Sequence, residues 1–226
     1  LTEVAQIEAM SVAVQARTTW EETRWLLELT DEHPWILGGV GWADLQVPDL
    51  SSRLAHAVTH PRFCGVRCTI PTDPSTPTAP RADFLRGIHV LTASDLTFDL
   101  LIRPPRLPLA RRLVESAPDQ RFVLDHLAKP PIAEQRLEPW ASEIRRLAER
   151  PNVACKLSGM VTEADADRWQ PSDVQPYLDV VLEAFGPDRL LIGSDWPVCR
   201  QAASYEEVIA LVEDAVASLS ESEQSA

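Results

Sequence analysis

Two stretches of this sequence deliver an ionisable side chain at the point where an apolar run must stop. Leu190-Leu-Ile-Gly193 reads as a short buried strand, apolar throughout, running into Ser194-Asp-Trp-Pro197. Proline has no N–H for a ladder, so the strand ends there. Asp195 then falls at the carboxyl tip of a strand. Arg121-Phe-Val-Leu-Asp-His126 reads as a second strand, followed by Leu127-Ala-Lys-Pro130. In folds with parallel strands, this is the end where ligands bind. A carboxylate placed there can take a proton from an attacking water, and an imidazole can polarise a carbonyl oxygen. One such group could be an ordinary cap; two, each just ahead of a proline, are hard to explain in that way.

Further strand ends supply Gln15 and Arg17, Trp42 and Asp44, Arg67, Arg103, Asp125, Lys156 and Ser158. The remaining histidines, His33, His56, His60 and His89, fall in helices or in helix-to-strand connections. They belong to the opposite rim and read as structural or solvated.

The elements that must position these groups alternate regularly. Strands are expected at Met10–Ala16, Trp35–Trp42, Phe63–Ile70, Thr97–Pro104, Arg121–His126, Asn152–Ser158 and Leu190–Gly193. Helices are expected between them, with Thr19 and Glu22 forming a capping box and Trp25, Leu26 and Leu29 an apolar face. Later helices are expected over 81–94, 107–116, 139–150, 176–185 and 205–219. A loop with four prolines, 71–80, is of the kind that often covers a site. Residues 1–9 look like a helix or loop. Strict β/α alternation argues for a parallel sheet, and the short regular repeat favours a closed barrel over an open doubly wound sheet. No glycine fingerprint for a dinucleotide follows any strand, so no organic cofactor is expected.

At 226 residues, with 45% hydrophobic and 24% charged content, the chain can bury a real core. A net charge of −13 argues against nucleic acid or an anionic membrane as partner, and the acidic surface neither requires nor forbids a homo-oligomer. Cys64 and Cys68 have no second pair at metal-ligand spacing, so they read, with Cys155 and Cys199, as small buried hydrophobes in a reducing compartment. No run of about 18 apolar residues or charged leader is present, and a cytoplasmic location is expected.

Val123-Leu-Asp-His-Leu-Ala-Lys-Pro130 and Ile192-Gly-Ser-Asp-Trp-Pro-Val-Cys199 together resemble the paired motifs of the amidohydrolase superfamily's amidohydrolase-2 branch. Within it they are most similar to the group of sugar-acid lactonases and pyrone-dicarboxylate lactonase. Gly65-Val-Arg67, Phe98–Pro104 and Lys156-Leu-Ser-Gly159 support the resemblance, which runs from about Met10 to Leu219. It implies an α/β fold, the (β/α)8 TIM barrel, with His126 on the sixth strand and Asp195 on the eighth. The family's first strand carries a His-x-His pair that helps bind a divalent metal, and no His-x-His occurs in this sequence. The expectation is therefore one barrel domain over 1–226, lacking its first strand and slightly short at its carboxyl end.

The implied activity is the opening of a small-molecule lactone, with Asp195 as general base and His126 as metal ligand or carbonyl polariser. Zinc or manganese, held by His126 and Asp195, is the implied metal, and a metal-independent course stays open. Arg67 and Arg103 could hold a carboxylate or sugar hydroxyls, or form rim ion pairs. Lys156 and Ser158 are further substrate-facing candidates, Asp125 a supporting group, and Trp42 and Trp196 either pocket walls or core. Two other readings compete: a nonoxidative decarboxylase on the same barrel, and a degenerate barrel without catalysis.

Overall fold

A computed structural model describes residues 10–72, 75–217 and 219–224. The expected helix or loop at 1–9 lies outside the described residues. The chain divides into two compact units, Leu1–Pro71 with Arg81–Asp99, and Thr72–Pro80 with Leu100–Ala226. The proline-rich loop belongs to the second, and its residues 73 and 74 lie outside the described ones.

The first unit runs β1 (Ser11–Val14), α1 (Trp20–Glu32), β2 (Ile36–Gly41), α2 (Leu50–Leu54), β3 (Phe63–Arg67), α3 (Ala82–Ala93) and β4 (Thr97–Leu100). Neighbouring strands pair parallel in sequence order. Thr19 caps α1 by accepting from the Glu22 amide at 3.3 Å. The Glu22 carboxylate accepts instead from the amides of Ala16 and Arg17, so the reciprocal half of the expected capping box is not made. The buried stripe of α1 is Thr23, Leu26, Leu27 and Thr30, spaced i, i+3, i+4, i+7. Trp25, expected on the apolar face, lies off that stripe and is 53% exposed. Thr23 has a reason to be buried: its hydroxyl accepts from the Trp42 amide at 2.8 Å and donates to the Trp42 carbonyl at 3.1 Å. A Cβ on Gly41 would come within 2.4 Å of the Thr23 methyl, so only glycine lets helix and strand tip meet this closely.

The second unit continues with α4 (Leu107–Ser116), β5 (Phe122–Leu124), α5 (Trp140–Ala148), β6 (Val153–Leu157), α6 (Pro171–Phe185), β7 (Leu190–Ile192) and α7 (Tyr205–Val216). β5 pairs parallel with β6, and β6 with β7. Three expectations are corrected here. β5 stops at Leu124, so Asp125 and His126 lie beyond the strand rather than on it. α6 starts at Pro171, where a missing N–H costs nothing, and runs through Pro176, which the sequence marked as a start. β7 is not buried: Leu191 is 41% and Ile192 56% exposed. It is the last strand of its sheet, paired with β6 alone among the described residues, so one side of it lacks cover.

Arg189 closes the end of this unit where β6 and β7 begin. Its guanidinium donates to the carbonyls of Ala148, Arg150 and Val153 at 2.9, 2.9 and 3.2 Å, and to Phe185 at 3.1 Å. It also lies 5.2 Å from the centre of the Phe185 ring. Replacing it by methionine keeps the stem but strips several carbonyls of their donor. Arg189→Met should cost about 2–3 kcal/mol in urea unfolding, and a loss below about 0.5 kcal/mol would show that water replaces the donor freely.

Candidate active site

The site begins where β5 ends. His126, Leu127, Ala128 and Lys129 have φ of 53°, 53°, 59° and 54°, four successive non-glycine residues in the left-handed region. Each such residue costs about 1–2 kcal/mol, so the turn exists only because its surroundings hold it. Leu127 and Ala128 are fully buried. The indole N–H of Trp140, itself 1% exposed, donates to the Leu127 carbonyl at 2.7 Å. The Lys129 amide closes the turn on the His126 carbonyl at 2.6 Å. Gly159, with φ +67°, packs flat against the imidazole: a Cβ there would sit 2.8 Å from Cβ, Cγ and Nδ1 of His126.

The turn aims the imidazole between two other strand tips. His126 Nδ1 lies 2.8 Å from Ser158 Oγ, just past β6. His126 Nε2 lies 3.7 Å from Asp195 Oδ1, just past β7, and the two side chains are 10% and 15% exposed. Asp195 itself is left-handed, φ 55°, a conformation aspartate tolerates better than most residues. Its carbonyl accepts from the Cys199 amide at 2.9 Å. Beneath the imidazole, Lys156 Nζ meets the fully buried Asp125 carboxylate at 2.8 Å. The register of β5 on β6, Leu124 opposite Cys155, sets these two residues side by side.

The thiols nearby are held toward their protonated form. Burial pushes Cys155 far above its ordinary value, and the Asp125 charge adds to it. Cys199 is raised by burial first and by the Asp195 carboxylate second. In the first unit, burial drives Cys68 up to about 12. A thiol kept protonated neither attacks nor ligates. Cys155 and Cys199 are buried as expected, whereas Cys64 and Cys68 are only half-buried.

The other sequence candidates separate into the two units. In the second, the structure brings together His126, Asp195, Ser158, Lys156 and Asp125. Trp196, next to Asp195, is half-buried, and its amide donates to Ser194 Oγ at 3.2 Å. Arg103 grips Glu163 through Nη1 at 3.0 Å and Nη2 at 3.4 Å, with its own side chain 65% exposed. In the first unit, Arg67 donates to the backbone and side-chain oxygens of Gln15, and Gln15 Nε2 returns a bond to the Arg67 carbonyl at 3.1 Å. That guanidinium ties the tips of β1 and β3. Trp42 is half-buried behind the Thr23 hydroxyl, and Asp44 is exposed. Of the other histidines, His33 stacks on Trp35, His60 contacts Asp31 at 3.3 Å, and His56 and His89 are exposed.

Glu163 is the residue that sequence reasoning missed. It ends a short 3-10 turn, Val161–Glu163, five residues beyond Ser158. Its carboxylate, 12% exposed, also accepts from Lys129 Nζ at 3.2 Å. The available signal was that it is the first acidic residue after β6, following a segment otherwise free of carboxylates.

A spacing of 3.7 Å between His126 Nε2 and Asp195 Oδ1 is close to the roughly 3.4 Å separating two ligands of a tetrahedral zinc. A catalytic zinc takes three protein ligands, and no cluster of three metal-ligating side chains occurs among the described residues. Among the described residues, His126 and Asp195 are the pair that would hold a metal, which would polarise a carbonyl and acidify a bound water.

Parallel strands in sequence order, with titratable groups gathered past their carboxyl ends, define the class of (β/α)-barrel enzymes. The chain belongs to the amidohydrolase family, whose model matches residues 2–226. It is 42% identical to an L-fucono-1,5-lactonase of Burkholderia multivorans, over 98% of this chain and 78% of that one. An amidohydrolase of Burkholderia multivorans solved with bound zinc superposes with a TM-score of 0.89 at 40% identity, over 98% of this chain and 80% of that one. The expected barrel class is borne out by that likeness. A 2,6-dihydroxybenzoate decarboxylase from Rhizobium, 14% identical with a TM-score of 0.64 over 98% of this chain and 81% of that one, shares the fold alone.

Two outcomes test this geometry. Gly159→Ala should lower stability by about 2 kcal/mol or more, because left-handed backbone and the imidazole both oppose a methyl group; an unchanged denaturation midpoint would mean the ring moves aside at no cost. With two donors among the described residues, equimolar zinc should be lost on gel filtration, followed by metal analysis of the protein peak. Retention of one zinc per chain would mean that further ligands complete the site.

Proposed function

We propose that this chain adds water to a sugar-acid lactone, with L-fucono-1,5-lactone the first substrate to assay. The observation that carries the proposal is the facing pair His126 Nε2 and Asp195 Oδ1, 3.7 Å apart, with Ser158 on the far ring nitrogen. The gap is too long for a direct hydrogen bond and suits a reacting atom shared by both groups.

With Ser158 Oγ donating to Nδ1, the ring carries its proton on Nε2, where it can donate to the carbonyl oxygen as that oxygen becomes an alkoxide. Asp195 takes a proton from water as the water oxygen bonds to the carbonyl carbon. The ring C–O bond then breaks, and the proton on Asp195 passes to the departing alkoxide. The product is the open hydroxy acid. Lys156 neutralises Asp125 just behind the ring, so a buried carboxylate does not draw the imidazole away from its partners. Arg103, held by Glu163 yet 65% exposed, would meet substrate hydroxyls. Trp196, next to Asp195 in sequence, would meet substrate from the same unit.

A lactonase relative at 42% identity supports this chemistry over decarboxylation, for which the likeness is one of fold alone. In a homologue, zinc is bound; here the metal, if one takes part, would meet His126 and Asp195 first. Four free thiols and the absence of a helix long and apolar enough to cross a membrane, among the described residues, accord with a cytoplasmic enzyme.

Asp195→Asn should cut hydrolysis of L-fucono-1,5-lactone, followed by acid release at constant pH, by at least about 100-fold. Unchanged turnover would remove Asp195 from the chemistry. Absence of turnover in the unaltered protein, across a lactone panel with and without zinc, would favour the non-catalytic barrel.

A further inference from the structure

We propose that Lys129 and Glu163 are positioning residues: their ion pair is a clasp that keeps the His126–Lys129 turn left-handed and thereby fixes the imidazole. The consequence for catalysis rests on the reading of His126 and Asp195 as the reacting pair; the clasp itself does not.

A turn of four strained residues unwinds from whichever end is least restrained. Its start is restrained by the Lys156–Asp125 pair, one residue before His126. Its middle is restrained by the Trp140 indole on the Leu127 carbonyl. At its far end stand the short hydrogen bond from the Lys129 amide to the His126 carbonyl and the Lys129–Glu163 pair. That pair is no ordinary surface contact. The two side chains are 21% and 12% exposed, and Arg103 holds the same carboxylate through two nitrogens, so Glu163 is immobilised before Lys129 meets it.

The same short segment also reaches the start of the turn. Ser158 Oγ bonds the imidazole, Gly159 packs against its face, and Glu163 takes the lysine three residues further along the turn. Residues 158–163 therefore lie along 126–129 as a splint, fastened at both ends. Loosening the lysine end leaves the ring attached only through Ser158, with its backbone free to relax.

The variants to compare are Lys129→Met, Glu163→Gln and Lys129→Arg, each checked for folding by urea denaturation. Amide exchange over 126–129 should quicken at least about tenfold in Lys129→Met and Glu163→Gln, while β6 amides keep their protection. In Lys129→Met, lactone kcat should fall about 10- to 100-fold with KM within about twofold, as expected when a reacting group is misplaced while the grip on substrate is unchanged. Lys129→Arg should recover most of both losses. Unchanged exchange over 126–129 overturns the clasp, whatever the activity. A rise in KM alone also overturns it, by making Lys129 a group that binds substrate. If the unaltered protein opens no lactone, the exchange result still decides the clasp, and only the lactonase reading falls.

Discussion

At His126 the backbone enters the left-handed region and stays there for four residues, at a cost that few segments of a natural chain sustain. The neighbouring structure can be understood as what makes that cost tolerable. Leu127 and Ala128 face entirely inward, and Trp140 commits its indole proton to a carbonyl that the turn would otherwise leave without a donor. Gly159 forgoes a side chain, so the ring has a surface to rest on. The result is a histidine whose two nitrogens are each committed to a different strand tip, Ser158 after β6 and Asp195 after β7.

The charges around this turn are arranged so that none is buried alone. Asp125 is fully enclosed and would be costly as a bare carboxylate, and Lys156 reaches it from the next strand at 2.8 Å. Glu163 is nearly enclosed and has two cations. Asp195 differs from both: its near neighbour, among the described residues, is an imidazole at a distance that invites a third atom.

What the sequence reveals and what it conceals have separate physical origins. The apolar runs of β5 and β7 are each followed within about six residues by a proline that bars their continuation, which is why Asp195 and His126 stand out from residue types alone. The alternation of apolar runs and helical stretches likewise points to the class of fold. Handedness is not written that way. Beyond the tolerance of His126 itself, nothing in His126-Leu-Ala-Lys129 favours φ near +55°; no glycine or asparagine marks it, and the conformation is imposed by Trp140, Gly159 and Glu163 from elsewhere in the chain. For the same reason the sequence overstates β5 by two residues at its carboxyl end. Trp25 misleads because a single bulky side chain carries less information than the spacing of Thr23, Leu26, Leu27 and Thr30. The composition of β7 suggests burial, yet burial depends on what lies beside a strand, and composition does not carry that.

The exposure of β7 gives the two halves of the facing pair unequal footing. His126 stands on a turn walled in from several sides, whereas Asp195 hangs from a three-residue strand that β6 grips along one edge. Opening free energies are lowest where few contacts must be given up, so fluctuations of this site should be led by the carboxylate while the imidazole holds still.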